Sequence, residues 1–299
     1  MHDVENSGRC RWLLMKPISE FRKAREAFHA RLCREALLIN SGHVASNADS
    51  NNFASKEIAL GLAKKLGASS GSRLAGQTSG DLFESACAEF VKTAFSSLAH
   101  LRPGIWTVAR VSGPEMEIAE FEQYSRLREI GRLTRQHPEL KTALGDGFFI
   151  MPDVVVFRSP EEDSEINRNA FLVDDTYARL TPLRRRNNGF TIFHASISCI
   201  WAIRRDRTQN SRSEALNLIR NRKGHVPHIA VVTAEPLPSR LASICLGTGD
   251  IDCVYHFALP ELREAIAELK LVDALDSLDI LVHGKRLRDV SDLPLDLAI

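Results

Sequence analysis

The 299-residue chain has no Cys-x-x-Cys pair, and its six cysteines, Cys10, Cys33, Cys87, Cys199, Cys245 and Cys253, are scattered without a histidine cluster beside them. Such spacing gives no sign of zinc and fits reduced, mostly buried thiols in a cytoplasmic protein. Long hydrophobic runs are missing as well: the longest early one, residues 12–15, is too short for a signal peptide or a membrane span. There is no phosphate-binding P-loop and no GxGxxG after a strand, so nothing positive supports a small-nucleotide-binding protein. An excess of one charge sign is also absent. With a net charge of +1, any basic footprint for nucleic acid must be local. Repeats, low-complexity tracts and Pro/Gly-rich linkers do not occur, so nothing forces a two-domain split.

What is present is a chain 44% hydrophobic, enough for a sizeable core in one large α/β domain or two smaller ones. Residues 1–15 are polar and irregular and read as a loose N-terminal extension, leaving 16–299 as one folded unit. Helical spacing predicts a helix over 18–38, followed by a polar loop over 40–52 that contains Asp49. Ser55 is placed to cap a helix over 56–66. Helices are also expected over 81–99, with Glu84 in the first turn, over 118–142, over 211–222 and over 262–269. Strands are expected over 105–111, 152–157, 190–200, 229–233, 253–259 and 278–282. Strands alternating with helices predict an α/β fold with a central mixed sheet flanked by helices.

The chain is organised around residues 190–214, FTIFHASISCIWAIRRDRTQNSRSE. A buried strand leads into Arg204, Asp206 and Arg207, then into a polar helix carrying Glu214. Metal-assisted hydrolysis of a phosphodiester needs an ion, a water to activate and stabilisation of charge on the phosphate. Magnesium takes hard oxygen ligands from one or two carboxylates and the phosphate itself. A minimal site is an aspartate at a strand end, a carboxylate on the next strand and a lysine two residues on, since residues i and i+2 share a strand face. Pro152-Asp153 supplies the first part. Ser198 and Ile200 occupy the i and i+2 positions with the wrong chemistry, while Glu214 and Glu84 are candidate replacement acids. Taken singly, each has a plainer reading: Pro-Asp as a turn, Glu84 as a partner of a helix dipole, Glu214 as a solvated residue, Arg204 to Arg207 as an ion-paired loop, and Ile200 as core.

Asp153, then Ser198 and position 200, then Glu214, resemble the permuted PD-(D/E)xK site of the NgoMIV, Cfr10I and Bse634I group of type II restriction endonucleases. The segments HASISC, Arg-x-Asp-Arg, SEALNLIRNRKG, PHIAVVTAEP, GTGDIDCVYHFAL and DLPLDLA are similar to the NgoMIV branch. So are SNAD near 48, GQTSG near 78 and INRN-FLVD around 170, so the resemblance covers roughly residues 16–299. It implies a restriction-endonuclease-like core and magnesium-dependent, sequence-specific cleavage of double-stranded DNA. It assigns Asp153 and Glu214 as metal ligands, with Glu84 and Ser198 near metal and phosphate. Arg204, Asp206 and Arg207 would read a CCGG core in the major groove, where arginine pairs with guanine O6 and N7 and aspartate accepts from cytosine N4. Asp49 and Arg240 match readers of an outer G·C pair, and Gln77 a minor-groove contact, giving GCCGGC as the implied target. The group acts as homotetramers, two dimers back to back, with no membrane involvement. The departure is Ile200, which stands where the group has a lysine. It implies an inactive or slow enzyme, a variant using another cation, or a non-cleaving sequence-specific DNA-binding protein.

Overall fold

The computed structural model describes residues 17–72, 76–111, 118–137, 139, 152–203, 205–246 and 249–299, and leaves out the side chains of 76, 134, 135 and 205–208. The predicted N-terminal extension therefore lies outside the described residues. Six strands form one mixed sheet in sequence order: β1 (Trp106–Arg110), β2 (Val154–Arg158), β3 (Ile192–Ile200), β4 (His228–Thr233), β5 (Cys253–His256) and β6 (Leu287–Asp289). The pairs β1–β2 and β2–β3 are antiparallel, and β3 through β6 run parallel. Parallel strands are buried on both faces, which is why β4 reads as a nearly continuous apolar run and why β3 is buried along most of its length despite His194, Ser196 and Ser198.

Helix α1 (Glu20–Glu35) starts where the Ser19 side chain accepts the Arg22 N–H at 3.2 Å. It buries Ala24, Phe28 and Leu32, one face at i, i+4, i+8, alongside α3 (Gly76–Ser96). The α3 helix buries Phe83, Cys87, Phe90 and Ala94 against the sheet and α1. Arg25 ties α1 to the far edge of the sheet: it grips Glu261 at 2.6 and 2.8 Å and Asp289 at 2.9 Å through both of its terminal forks.

The register of β3 contains one irregularity. Val156 pairs with Ala195 but Phe157 pairs with Phe193, so His194 is an extra residue and the strand bulges there. The bulge resets which side chains share a face. His194 meets Phe95 and Trp106 on the α3 side, while Phe193 meets Phe121 and Tyr124 on the other. The Tyr124 hydroxyl in turn donates to Leu218 O at 3.0 Å, in α6 (Arg205–Asn221), so α6 covers that second face.

Several expected elements differ. The segment 278–282 is not a strand but part of a helix, α9 (Val272–His283), with Leu278 and Leu281 buried three apart and Ile280 exposed; the third parallel neighbour is β6. Asn52, not Ser55, caps α2 (Phe53–Lys65): its side chain accepts the Ser55 N–H at 2.9 Å. The Ser55 hydroxyl faces inward and accepts the Asp49 N–H at 2.9 Å. The charged helix expected over 118–142 is interrupted by two 3-10 turns, Ile118–Glu120 and Glu122–Tyr124, because buried Phe121 bridges to Thr191. The helical part, α4, is Arg126–Gln136. Glu84 is two turns into α3, since that helix begins at Gly76, so its side chain does not serve the helix dipole. The central polar helix α6 is longer than expected, and strand β5 ends at His256, before α8 (Leu259–Glu268).

Candidate active site and DNA-reading face

Because β2 runs against β3, the head of β2 lies at the C-terminal end of β3, beside the C-terminal ends of β4 and β5. Asp153, the residue before β2, is fixed there: its Oδ2 accepts the Cys199 N–H at 2.6 Å and its carbonyl accepts the Val111 N–H at 2.9 Å. The Cys199 thiol hydrogen bonds to Cys87 of α3. That bond, burial, and the negative charges of Asp153 and Glu84 push the thiol well above its usual pKa. The thiol is therefore protonated, and the two carboxylates share its neighbourhood.

Glu84 is mostly buried, and its Oε2 accepts from Arg110 Nη2 at 2.9 Å; the same nitrogen reaches Asp81 at 3.2 Å. Arg110 ends β1 directly opposite Val154, one residue from Asp153. Sequence reasoning missed Arg110, because only the strand register brings it to Glu84. Gln77 lies seven residues before Glu84 on the same face of α3 and is exposed.

Since Cys199 faces α3, the alternating neighbours Ser198 and Ile200 face the α6 side, as the spacing predicts. Ser198 is half-buried opposite Val231. Ile200 is 3% exposed. Its carbonyl accepts from Thr233 Oγ1 at 2.9 Å and from the Ala234 N–H at 3.1 Å, so its backbone is pinned to the end of β4. Glu214 flanks the buried stripe Ser211, Ala215 and Leu218 of α6 and is half-buried. It is not drawn into a three-donor cluster with Asp153 and Glu84: among the described residues no group of three or more His, Cys, Asp or Glu is arranged to hold an ion. Two carboxylates supply hard oxygen donors, and with a substrate phosphate they make a donor set that suits magnesium.

Arg204 lies outside the described residues, as do the side chains of Asp206 and Arg207; the backbone of the latter two forms the first turn of α6. Asp49 and Arg240 meet: Arg240 Nη2 hydrogen bonds to Asp49 Oδ2, and Nη1 donates to Ile203 O at 3.2 Å. Arg240 belongs to α7 (Pro238–Cys245). Beside it lies Glu235, which sequence reasoning also passed over. Its position two residues beyond a buried parallel strand is the signal that could have marked it.

A family model described as NgoMIV restriction enzyme matches residues 28–299. The chain belongs to the NgoMIV restriction enzyme family. It is 52% identical over 288 residues to the Type II restriction enzyme NgoMIV of Neisseria gonorrhoeae, covering 95% of this chain and 100% of that one. Two solved structures are distant matches at 12% identity. One is the Type IIF restriction endonuclease Bse634I with cognate DNA, at TM-score 0.35 over 86% of this chain and 92% of that one. The other is the restriction endonuclease PspGI with substrate DNA, at TM-score 0.27 over 94% and 92%. Membership of the NgoMIV family accords with a mixed sheet that gathers Asp153, Ser198 and Ile200 at one end. No helix among the described residues is long and apolar enough to cross a membrane.

Proposed function

We propose that this protein is a type II site-specific deoxyribonuclease whose target is GCCGGC, acting with magnesium in the cytoplasm, and that Ile200 leaves it inactive or slow. The observation that carries the reading is the identity to NgoMIV along nearly the whole chain, with Asp153 fixed at the end of β3 beside Glu84. Asp153 and Glu214, the ligands the resemblance supplies, would hold the cation, with Glu84 and Ser198 close to metal and phosphate. A bound magnesium supplies Lewis-acid stabilisation of the phosphate and lowers the pKa of water nearby. The protein's own part is to orient: Cys199 N–H holds Asp153, Arg110 holds Glu84, and Ser198 offers a hydroxyl on the neighbouring face. Hydrolysis adds a water oxygen to phosphorus, breaks one P–O bond and delivers a proton to the departing alkoxide. Ile200 can neither donate a hydrogen bond nor carry charge at that step.

Arg204, Asp206 and Arg207 would read the CCGG core, Asp49 and Arg240 the outer pair, and Gln77 the minor groove. Homotetramers, as dimers of dimers, are the proposed assembly. Phe171, Leu172, Tyr177 and Leu180, large apolar side chains exposed on one short stretch of chain, support self-association. The buried, uncharged Ile200 also favours a second reading, a protein that binds GCCGGC without cleaving it.

The test is a supercoiled plasmid carrying two GCCGGC sites, incubated with magnesium and followed over time. Ile200→Lys should raise the cleavage rate by at least about a hundredfold, in line with regaining one preorganised charge beside the phosphate. Cleavage by the unmodified chain at the variant's rate would mean that another cation does the work. If neither protein cuts but both bind the site, the non-cleaving reading stands.

A further inference from the structure

Glu235 is the most deeply buried carboxylate among the described residues, 1% exposed, two residues past the end of β4. Its Oε2 accepts the Ile203 N–H at 2.8 Å, and its Oε1 accepts the Leu237 N–H at 3.1 Å. Its own N–H donates to Thr233 Oγ1 at 3.2 Å, and that hydroxyl donates to Ile200 O. Arg240 Nη1 lies 3.9 Å from Oε2 while donating to Ile203 O, and its other nitrogen binds Asp49. Next door, Ala234 O accepts from Asn47 Nδ2 at 2.8 Å, a second tie between this turn and the loop that carries Asp49. One carboxylate thus touches the backbone immediately before Arg204 and, through Arg240, the Asp49 loop.

We infer that Glu235 is a positioning residue for base recognition, holding the Ile203 backbone and the Arg240–Asp49 pair in one frame so that the inner and outer base readers keep a fixed spacing. This rests on the DNA-reading roles proposed above. An ionised carboxylate accepts on both oxygens, and charge-assisted bonds are the stronger kind. A neutral amide of the same shape keeps one acceptor and turns an N–H₂ toward one of the two backbone donors. Burial pushes the Glu235 carboxyl up to about 7, against the Ile203 and Leu237 N–H groups and Arg240, which favour the anion; Asp49 adds to the rise. From β5, the buried His256 imidazole accepts the Ala258 N–H through Nδ1 at 3.1 Å; burial holds that imidazole at about 4, so it stays neutral around pH 7. The frame is therefore complete above about pH 7 and loosened below it.

The experiment measures binding to a GCCGGC duplex and to a random duplex by fluorescence anisotropy, from about pH 6 to about pH 8, on either side of the carboxyl's own value. It uses the unmodified protein, Glu235→Gln, Arg240→Ala and the double variant, each checked for folding by circular dichroism. The unmodified protein should gain preference for GCCGGC as the pH rises through about 7. Glu235→Gln should lose at least about tenfold of that preference, one good base contact's worth. Its pH dependence should flatten, its random-DNA affinity should hold, and adding Arg240→Ala should cost little more. A folded Glu235→Gln protein with its preference and pH profile intact overturns the inference. If that variant does not fold, Glu235→Asp, which keeps both oxygens on a shorter stem, takes its place under the same criteria. An unmodified protein that ignores GCCGGC is a separate result, and it removes the DNA-reading proposal along with this one.

Discussion

A carboxylate buried as deeply as Glu235 opposes folding whenever it is ionised. In the unfolded chain it titrates near the ordinary 4.5, and in the fold at about 7. The folded state therefore holds the proton more tightly, and this favourable contribution is complete below 4.5 and is lost as the pH rises through about 7. Ionisation above that range costs on the order of 3 kcal/mol at most. Glu235→Gln has no such penalty, so its melting temperature relative to the unmodified protein should climb between about pH 5 and pH 8. A difference that stays flat, or falls, across that window would show that the carboxylate is not strained by its burial. The strand after Asp153 was legible at this scale because a Pro-Asp pair heads a β-branched run, while the role of Asp153 itself came from the resemblance. Glu235 and Arg110 were not. Which strand-end carboxylate becomes buried, and which arginine reaches a glutamate 26 residues away, follow from sheet register, and periodicity does not contain register.

Among the elements, the stretch between β2 and β3 shows how little a charge count reveals. Residues 184–186 are three consecutive arginines, yet Arg184 is 1% exposed. Its guanidinium grips Asp163 at 2.7 and 2.8 Å and donates to the carbonyls of Asp174, Tyr177 and Ala178 at 2.9, 2.8 and 3.2 Å. One planar fork thus gathers the short helix α5 (Asp163–Ile166) and the loop after it. Arg184→Ala removes the Arg184 donor from the Asp174 and Tyr177 carbonyls and leaves Ala178 O with Asn187 Nδ2, so limited proteolysis within 167–183 should accelerate by about tenfold or more. Arg184→Lys should not restore resistance, because a single ammonium cannot match the fork. Unchanged proteolysis in both variants would show that the loop is held by something else. The misreading of 278–282 as a strand has a related cause. A short apolar run fits a buried strand and a helix equally well, and only the burial of Leu278 and Leu281 with Ile280 exposed shows which was built.

For the whole molecule, the sheet sets two ends apart. Asp153 heads β2 at one end, and β2 runs away from it to Arg158, where the chain leaves for the 159–191 stretch. Phe171, Leu172, Tyr177 and Leu180 are 69–95% exposed on that stretch, anchored by Arg184. The candidate DNA face and the apolar tongue therefore depart from opposite ends of the same strands. We propose that the contact between dimers is made through this stretch, which leaves the sheet at the end away from Asp153. Light scattering should then give about four chain masses for the unmodified protein, since self-complementary patches close into symmetric assemblies. Leu172→Ser with Leu180→Ser should shift it toward about half that mass by weakening only the tongue, while binding to one GCCGGC duplex persists. A monomer at working concentration would sink the tetramer. A tetramer unmoved by both serines would place the contact somewhere other than the tongue.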